Sequence, residues 1–510
     1  MNILAMLLFV VSMAYAESTT DPIVEVTSVE FARSLSLKLR GVVPSKSEIE
    51  EIETRGGLDT ELIHQWMESD EFAEQVVWHH KFLFWNAPFS NNLEQKRTLL
   101  TSSGIYYRRF VSQYHRGLIR QSCSDWENTD VNEWNQPQST QTSYVTQGGQ
   151  QVSYEDEGWV WVTPYWDSTT TIKVCAFDAQ TNLYNEAGID CRTAESNKVE
   201  DCGCGPNLQW CMNRNTEAIY KESMAEELSE RVRQMVSQEL PYTDLLTENV
   251  MYYNGPLSFY YQHLDPFIQK TQAPTETFPD LDFSDRNTWI GVETSELYSG
   301  ALTAPGWLLR HQTNRGRANR FYEAFLCSTF VPPIGGIVDE GVSTPDLSLK
   351  RGCADCHARL EPWRGYWGRW AEVSSSYIST DEFPSFSQEC ADCAESGSCN
   401  NMCRNNYMVD PAHVDDSPYV GWYLPYVYLK LDQQYHPDDG PKSWVDTVSM
   451  DGTLAQCVTQ NTASWLYGWS PDEMDSELLT EWSNTFENSD FDYEKLILEM
   501  VMHPAYGRVQ

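Results

Sequence analysis

Cys353-Ala354-Asp355-Cys356-His357 is the stretch on which the reading of this chain turns. Two thiols at C-x-x-C spacing can add to the two vinyl groups of one haem, and the histidine that follows is placed to bind the iron from one face. With 14 Cys and 10 His in 510 residues, composition alone would produce the pattern about 0.01 times per chain. The bland alternative is a C-x-x-C disulfide or metal knuckle followed by an unrelated His. The expectation is therefore one covalent haem c, held by Cys353 and Cys356, with His357 as an axial ligand.

The amino terminus agrees with that expectation. Ile3 to Val11 is almost continuously apolar and Ala14-Tyr15-Ala16 follows as an A-x-A cleavage pattern, so residues 1–16 are expected to be a signal peptide. The run is far shorter than the ~20 residues that span a bilayer, and no second stretch is long enough. The expected product is exported, to the periplasm or the cell surface, with no transmembrane segment after cleavage.

A formal charge of −39, from 35 basic and 74 acidic residues, makes nucleic acid and anionic membranes poor partners and would steer a cationic redox partner to the surface. A homo-oligomer is compatible with the composition. Setting the two haem thiols aside leaves 12 cysteines, an even number that is expected to pair as disulfides in an oxidising compartment. Cys191, Cys202, Cys204 and Cys211 form one cluster and Cys390, Cys393, Cys399 and Cys403 another; a four-thiolate zinc is the alternative for each.

Periodicity places helices over Val29–Leu39, ended by Gly41 to Pro44, after Asp59 as a cap, and over Phe72–Trp85. Tyr144 to Tyr154 reads as a hairpin about Gly148-Gly149, and Trp159–Val162 and Ile172–Val174 as strands. Helix returns at Thr216, with Ile219, Leu228, Val232 and Met235 on one face, and Pro241 stops it. The last clear helix is Tyr493 to Met502. The expected fold is mainly α: a multi-domain helical protein with a cytochrome-c-like haem segment and a small disulfide-rich β insertion. The expected divisions are an N-terminal helical domain over 17–120, a Cys-rich β insertion over 121–215 and a helical domain over 216–330. A haem-binding domain with its own Cys-rich insertion follows over 331–445, and a C-terminal helical domain over 446–510.

Several separated stretches carry a resemblance. Arg33-x-Leu35-x-Leu37-x-Leu39-x-Gly41-x-x-Pro44-Ser45 opens the series, followed by Trp78-His79 and by Pro241-Tyr242-x-Asp244-Leu245-Leu246-Thr247 with Asn254. Leu308-x-x-His311, Cys327 with Val331-Pro332-Pro333, and the haem motif running on into Ala358-Arg359-Leu360-Glu361-Pro362 come next. Cys457, Leu466-Tyr467-Gly468 and His503-Pro504-Ala505-Tyr506 close it. Together and in this order they resemble the planctomycete-type cytochrome-c-containing multi-domain exported proteins of unknown function. Residues 121–215 and 375–420 have no counterpart there, and the arginine-rich run after His311 departs from that pattern. The resemblance implies architecture and haem attachment; that family carries no settled activity.

The same resemblance makes His311 the first candidate for the second axial position. Met402 and Met408 come next, then His413 and His79, and an open iron is the remaining alternative. Two strong axial ligands favour electron transfer and an open or weak site admits substrate. Asp280, Asp282 and Asp285 lack EF-hand spacing and read as a solvated turn. Trp363, Tyr366, Trp367 and Trp370 read as packing around the haem segment. No G-x-S-x-G, H-E-x-x-H or phosphate-cradling glycine loop is present in the sequence. The leading expectation is an exported monohaem c-type cytochrome that passes electrons. A haem-dependent oxidoreductase and a surface assembly protein with a partly structural haem are the alternatives.

Overall fold

The computed structural model describes residues 27–90, 92–93, 98–109, 121–199, 201–267, 271–330, 347–348, 350, 352–372, 374–411, 414–427 and 439–506. The expected signal peptide and the candidate ligand His413 lie outside those residues. Four helices open the described chain: α1 (Ser28–Arg40), α2 (Lys46–Arg55), α3 (Thr60–Met67) and α4 (Asp70–Phe84). Their ends follow local chemistry. Thr27 and Glu30 form a capping box at the start of α1 and Gly41 closes it at φ 69°, a left-handed conformation that glycine adopts without a Cβ penalty. Asp59 accepts from the Leu62 amide at 3.0 Å and so caps α3, as its position suggests.

Strands β1 (Leu100–Ser103) and β2 (Tyr106–Arg109) come next, then the hairpin β3 (Gln141–Gln147) and β4 (Gln150–Asp156), then β5 (Trp159–Val162) and β6 (Ile172–Cys175). Gly148 and Gly149 both take positive φ, 59° and 81°, as a two-residue hairpin turn requires. Strands β1, β2, β6 and β5 form one sheet in that order, with β2 parallel to β6. It encloses a small core of Leu100, Val160, Val162, Val174 and Leu208. Three disulfides staple this unit, Cys123–Cys175, Cys191–Cys202 and Cys204–Cys211. A buried Arg109–Asp178 ion pair at 2.8 Å ties β2 into it.

The remaining elements are α5 (Arg214–Ser237), α6 (Tyr242–Thr247), β7 (Val250–Tyr253), α7 (Gly255–His263), β8 (Thr271–Gln272), β9 (Ile290–Glu293), α8 (Pro305–Arg310) and α9 (Asn314–Phe325). After them come α10 (Ala354–Arg364), β10 (Tyr377–Ile378), α11 (Gln388–Ser396) and α12 (Asn401–Asn406), and finally α13 (Gly440–Met450), α14 (Thr453–Tyr467), α15 (Ser476–Asn488) and α16 (Tyr493–Met502).

The mainly α expectation is corrected. Helices make up 49% of the chain and strands 12%, so the fold is mixed α/β, though largely helical. Strand is not confined to 121–215. Strands β1 and β2 precede it, β7 pairs with β9, and β8 pairs with β10. Those partners are distant in sequence, so their pairing leaves no local period to detect.

Among the described residues no cytochrome fold is seen around the C-x-x-C-H segment either. The reason is packing: Leu360, Trp367 and Trp370 lie in the same apolar core as Leu35, Val76, Leu228, Phe321, Trp444 and Ile497. The motif helix therefore has no core of its own. Its partners are α9 and α13, with Trp363 stacked on Trp444 at 4.6 Å.

Candidate haem-attachment site

Gly352, at φ 80°, turns the chain into α10, and the amides of Cys353 and Ala354 bond back to the Lys350 carbonyl at 2.9 and 2.8 Å. Three- and four-residue spacing then brings Cys353, Cys356 and His357 onto adjoining positions of the first turn. Twelve of the fourteen cysteines are in six disulfides; the two that remain free are Cys353 and Cys356, both half-buried. Pairing in the two cysteine clusters thus replaces the zinc alternative.

The imidazole of His357 is held by the next turn of the same helix. Its Nδ1 lies 2.6 Å from Oε1 of Glu361, a side chain that is 1% exposed. Arg315 on α9 grips both oxygens of that carboxylate, Nε to Oε1 at 2.7 Å and Nη2 to Oε2 at 3.0 Å. Arg364 reaches Oε2 through Nε at 2.6 Å and donates onward to the carbonyls of Leu424 and Val427. Burial alone would raise the Glu361 pKa. The Arg315 bond, the Arg364 charge and the His357 bond outweigh it and hold the carboxyl below its ordinary value. An ionised carboxylate can only accept, so Nδ1 carries the proton and Nε2 is the free ligand atom.

Two free thiols and a histidine whose Nδ1 is turned to Glu361, leaving Nε2 as the other ring nitrogen, form a donor set that fits covalent haem. Residues Cys353, Cys356 and His357 would hold it. Behind them the aromatic residues are core: Trp367 and Trp370 are buried, the Trp367 indole donates to Leu302 at 2.9 Å, and Tyr366 stacks on Trp363.

His311 sits elsewhere in kind. The residue is 8% exposed, its ring stacked against Trp85 and edge-on to Trp307 at 4.7 Å. Its Nε2 faces the Phe84 carbonyl at 3.4 Å. Burial pushes its pKa down to about 3. His79 is likewise buried and stacks on Trp465 at 4.9 Å. Met402 packs beside the Cys390–Cys403 and Cys393–Cys399 disulfides. Met408 lines a cavity of about 410 Å³ together with Arg315, Arg364 and Glu372.

Asp282 and Asp285 accept from Ser284 and from Asn287 and Thr288, the bonds of a solvated turn. Among the described residues Cys123, Glu157 and Cys175 converge as metal ligands would, but the two sulfurs are bonded to each other.

The carboxylate–guanidinium clamp is what sequence reading missed. Glu361 stood out only as part of a longer motif, although its place four residues after His357 on a helix was a usable signal. Arg315 offered none, because the α9–α10 contact that brings it to Glu361 is tertiary. A second arginine of α9, Arg317, is fully buried and donates to the carbonyls of His311, Leu308, Trp370, Ala371 and Ser374. It fastens α8 and α9 to the segment that follows α10.

The fold and this site define a largely helical, disulfide-stapled α/β protein with one free C-x-x-C-H segment. No protein-family profile, curated protein or solved structure matches the chain.

Proposed function

We propose that this chain is an exported electron carrier holding one haem c, attached through Cys353 and Cys356 and ligated by His357. The observation that carries this reading is selective pairing: every cysteine except those two is in a disulfide. Bound covalently, a haem supplies a reversible one-electron couple. The protein's own part is to orient it. Helix α10 presents the two thiols one turn apart, the Glu361 clamp fixes the His357 ring, and the core behind Leu360 and Trp363 keeps the helix rigid. Six disulfides and the lack of any described helix able to cross a membrane fit an exported product.

The test is the absorbance spectrum of protein matured with a c-type attachment system, oxidised and then dithionite-reduced. A sharp reduced α band that survives acid–acetone extraction is expected. Cys353→Ala and Cys356→Ala together should abolish covalent retention of the band. A colourless wild-type protein overturns the proposal.

A further inference from the structure

The clamp on His357 is built more elaborately than ligand orientation alone requires. Glu361 is buried, and it offers both oxygens to two arginines. Yet one of those oxygens, Oε1, is shared with the His357 ring at 2.6 Å. Arg364 is in turn anchored on the Leu424 and Val427 carbonyls, so the carboxylate is fixed from outside its own helix. A hydrogen bond of this length from imidazole to a carboxylate draws the Nδ1 proton away and makes Nε2 a stronger donor. A stronger donor stabilises ferric over ferrous iron and lowers the potential of the couple.

We infer that Glu361 is the positioning residue for the axial histidine: by accepting the Nδ1–H of His357 it fixes the ring and holds the iron at a low reduction potential. Arg315 and Arg364 keep Glu361 aimed. This assignment rests on the haem reading above and goes beyond it, because it names the residue that tunes the couple downward.

The measurement is a spectroelectrochemical titration of haem-loaded wild type, Glu361→Gln and Glu372→Gln. Glu372 is a nearby carboxylate that accepts from the Asn314 amide and lines the adjacent cavity; its contacts do not include His357. Glutamine keeps the shape at 361 but is a weaker, neutral acceptor. Glu361→Gln is expected to keep its covalent haem and to shift the midpoint upward, well beyond any shift in Glu372→Gln.

A wild-type midpoint in Glu361→Gln, or equal shifts in both variants, overturns the inference while leaving the haem reading intact. A wild-type protein without haem overturns the reading itself. If Glu361→Gln does not fold, proton exchange of the His357 ring N–H in the wild-type ferric holoprotein decides. A hyperfine-shifted, slowly exchanging proton is expected, and a rapidly exchanging one overturns the inference.

Discussion

Single side chains in this protein carry opposite consequences depending on what surrounds them. His357 and His311 are both histidines in helical surroundings, yet one keeps a free Nε2 and the other is covered by two indoles. His311→Ala is therefore expected to lower stability by about 1–3 kcal/mol through lost packing and, in protein carrying the proposed haem, to leave the spin state of its iron unchanged. Denaturant unfolding and the oxidised spectrum check the two halves. Asp265 tests burial in a different way. It is 3% exposed, Ser376 donates to it at 3.2 Å, and burial pushes its pKa up to about 7. The folded chain holds that proton more tightly than the unfolded chain, whose value is ~4. The stability linked to it is present below about pH 4 and is lost as pH rises toward 7. Asp265→Asn should therefore gain melting temperature relative to wild type between pH 5 and 8, and show no gain at pH 4.

Whole elements are tied together by bonds of very different reach. Cys327, just after α9, joins Cys457 on α14 across 130 residues. Cys204 joins Cys211 across 7. Closing the longer loop removes more freedom from the unfolded chain, by roughly 2–3 kcal/mol in the loop-entropy account. Replacing Cys327 and Cys457 by Ala should thus destabilise more than replacing Cys204 and Cys211, as compared by chemical denaturation under oxidising conditions. Helix α10 shows how an element acquires its role. Its motif is local, but its orientation depends on α9 through Arg315 and on α13 through Trp444.

Across the whole molecule, charge dominates what a partner meets. A net charge of −39 attracts cations over about one Debye length, ~8 Å at physiological salt. If the protein exchanges electrons by collision, its rate with a small cationic oxidant should fall as salt rises, and its rate with an anionic oxidant should rise. Stopped-flow traces over a range of ionic strength check this. Acid acts on the same scale. Burial pushes His80 down to about 4 and holds His79 well below its ordinary value. Both are neutral when folded, while the unfolded chain takes up protons below pH ~6.5. Their contribution to stability is lost as pH falls from there toward 4.

By itself the sequence determined what short-range chemistry can specify. Helices α1, α3 and α4, the Gly148–Gly149 turn and the closing helix at Tyr493 follow from periods and caps within a few residues, whereas α2 was not read from the sequence. The C-x-x-C-H segment and the even count of other cysteines were equally legible. The tertiary structure alone decided which cysteines pair, which distant strands meet, and that the motif helix shares the common core instead of building its own. It also decided that Arg315 and Arg364 converge on Glu361 and that His311 is enclosed by tryptophan. The strand pairings, the Cys327–Cys457 bridge and the Arg315–Glu361 contact join residues far apart in the chain, and burial of apolar cores, not any local pattern, brings them together.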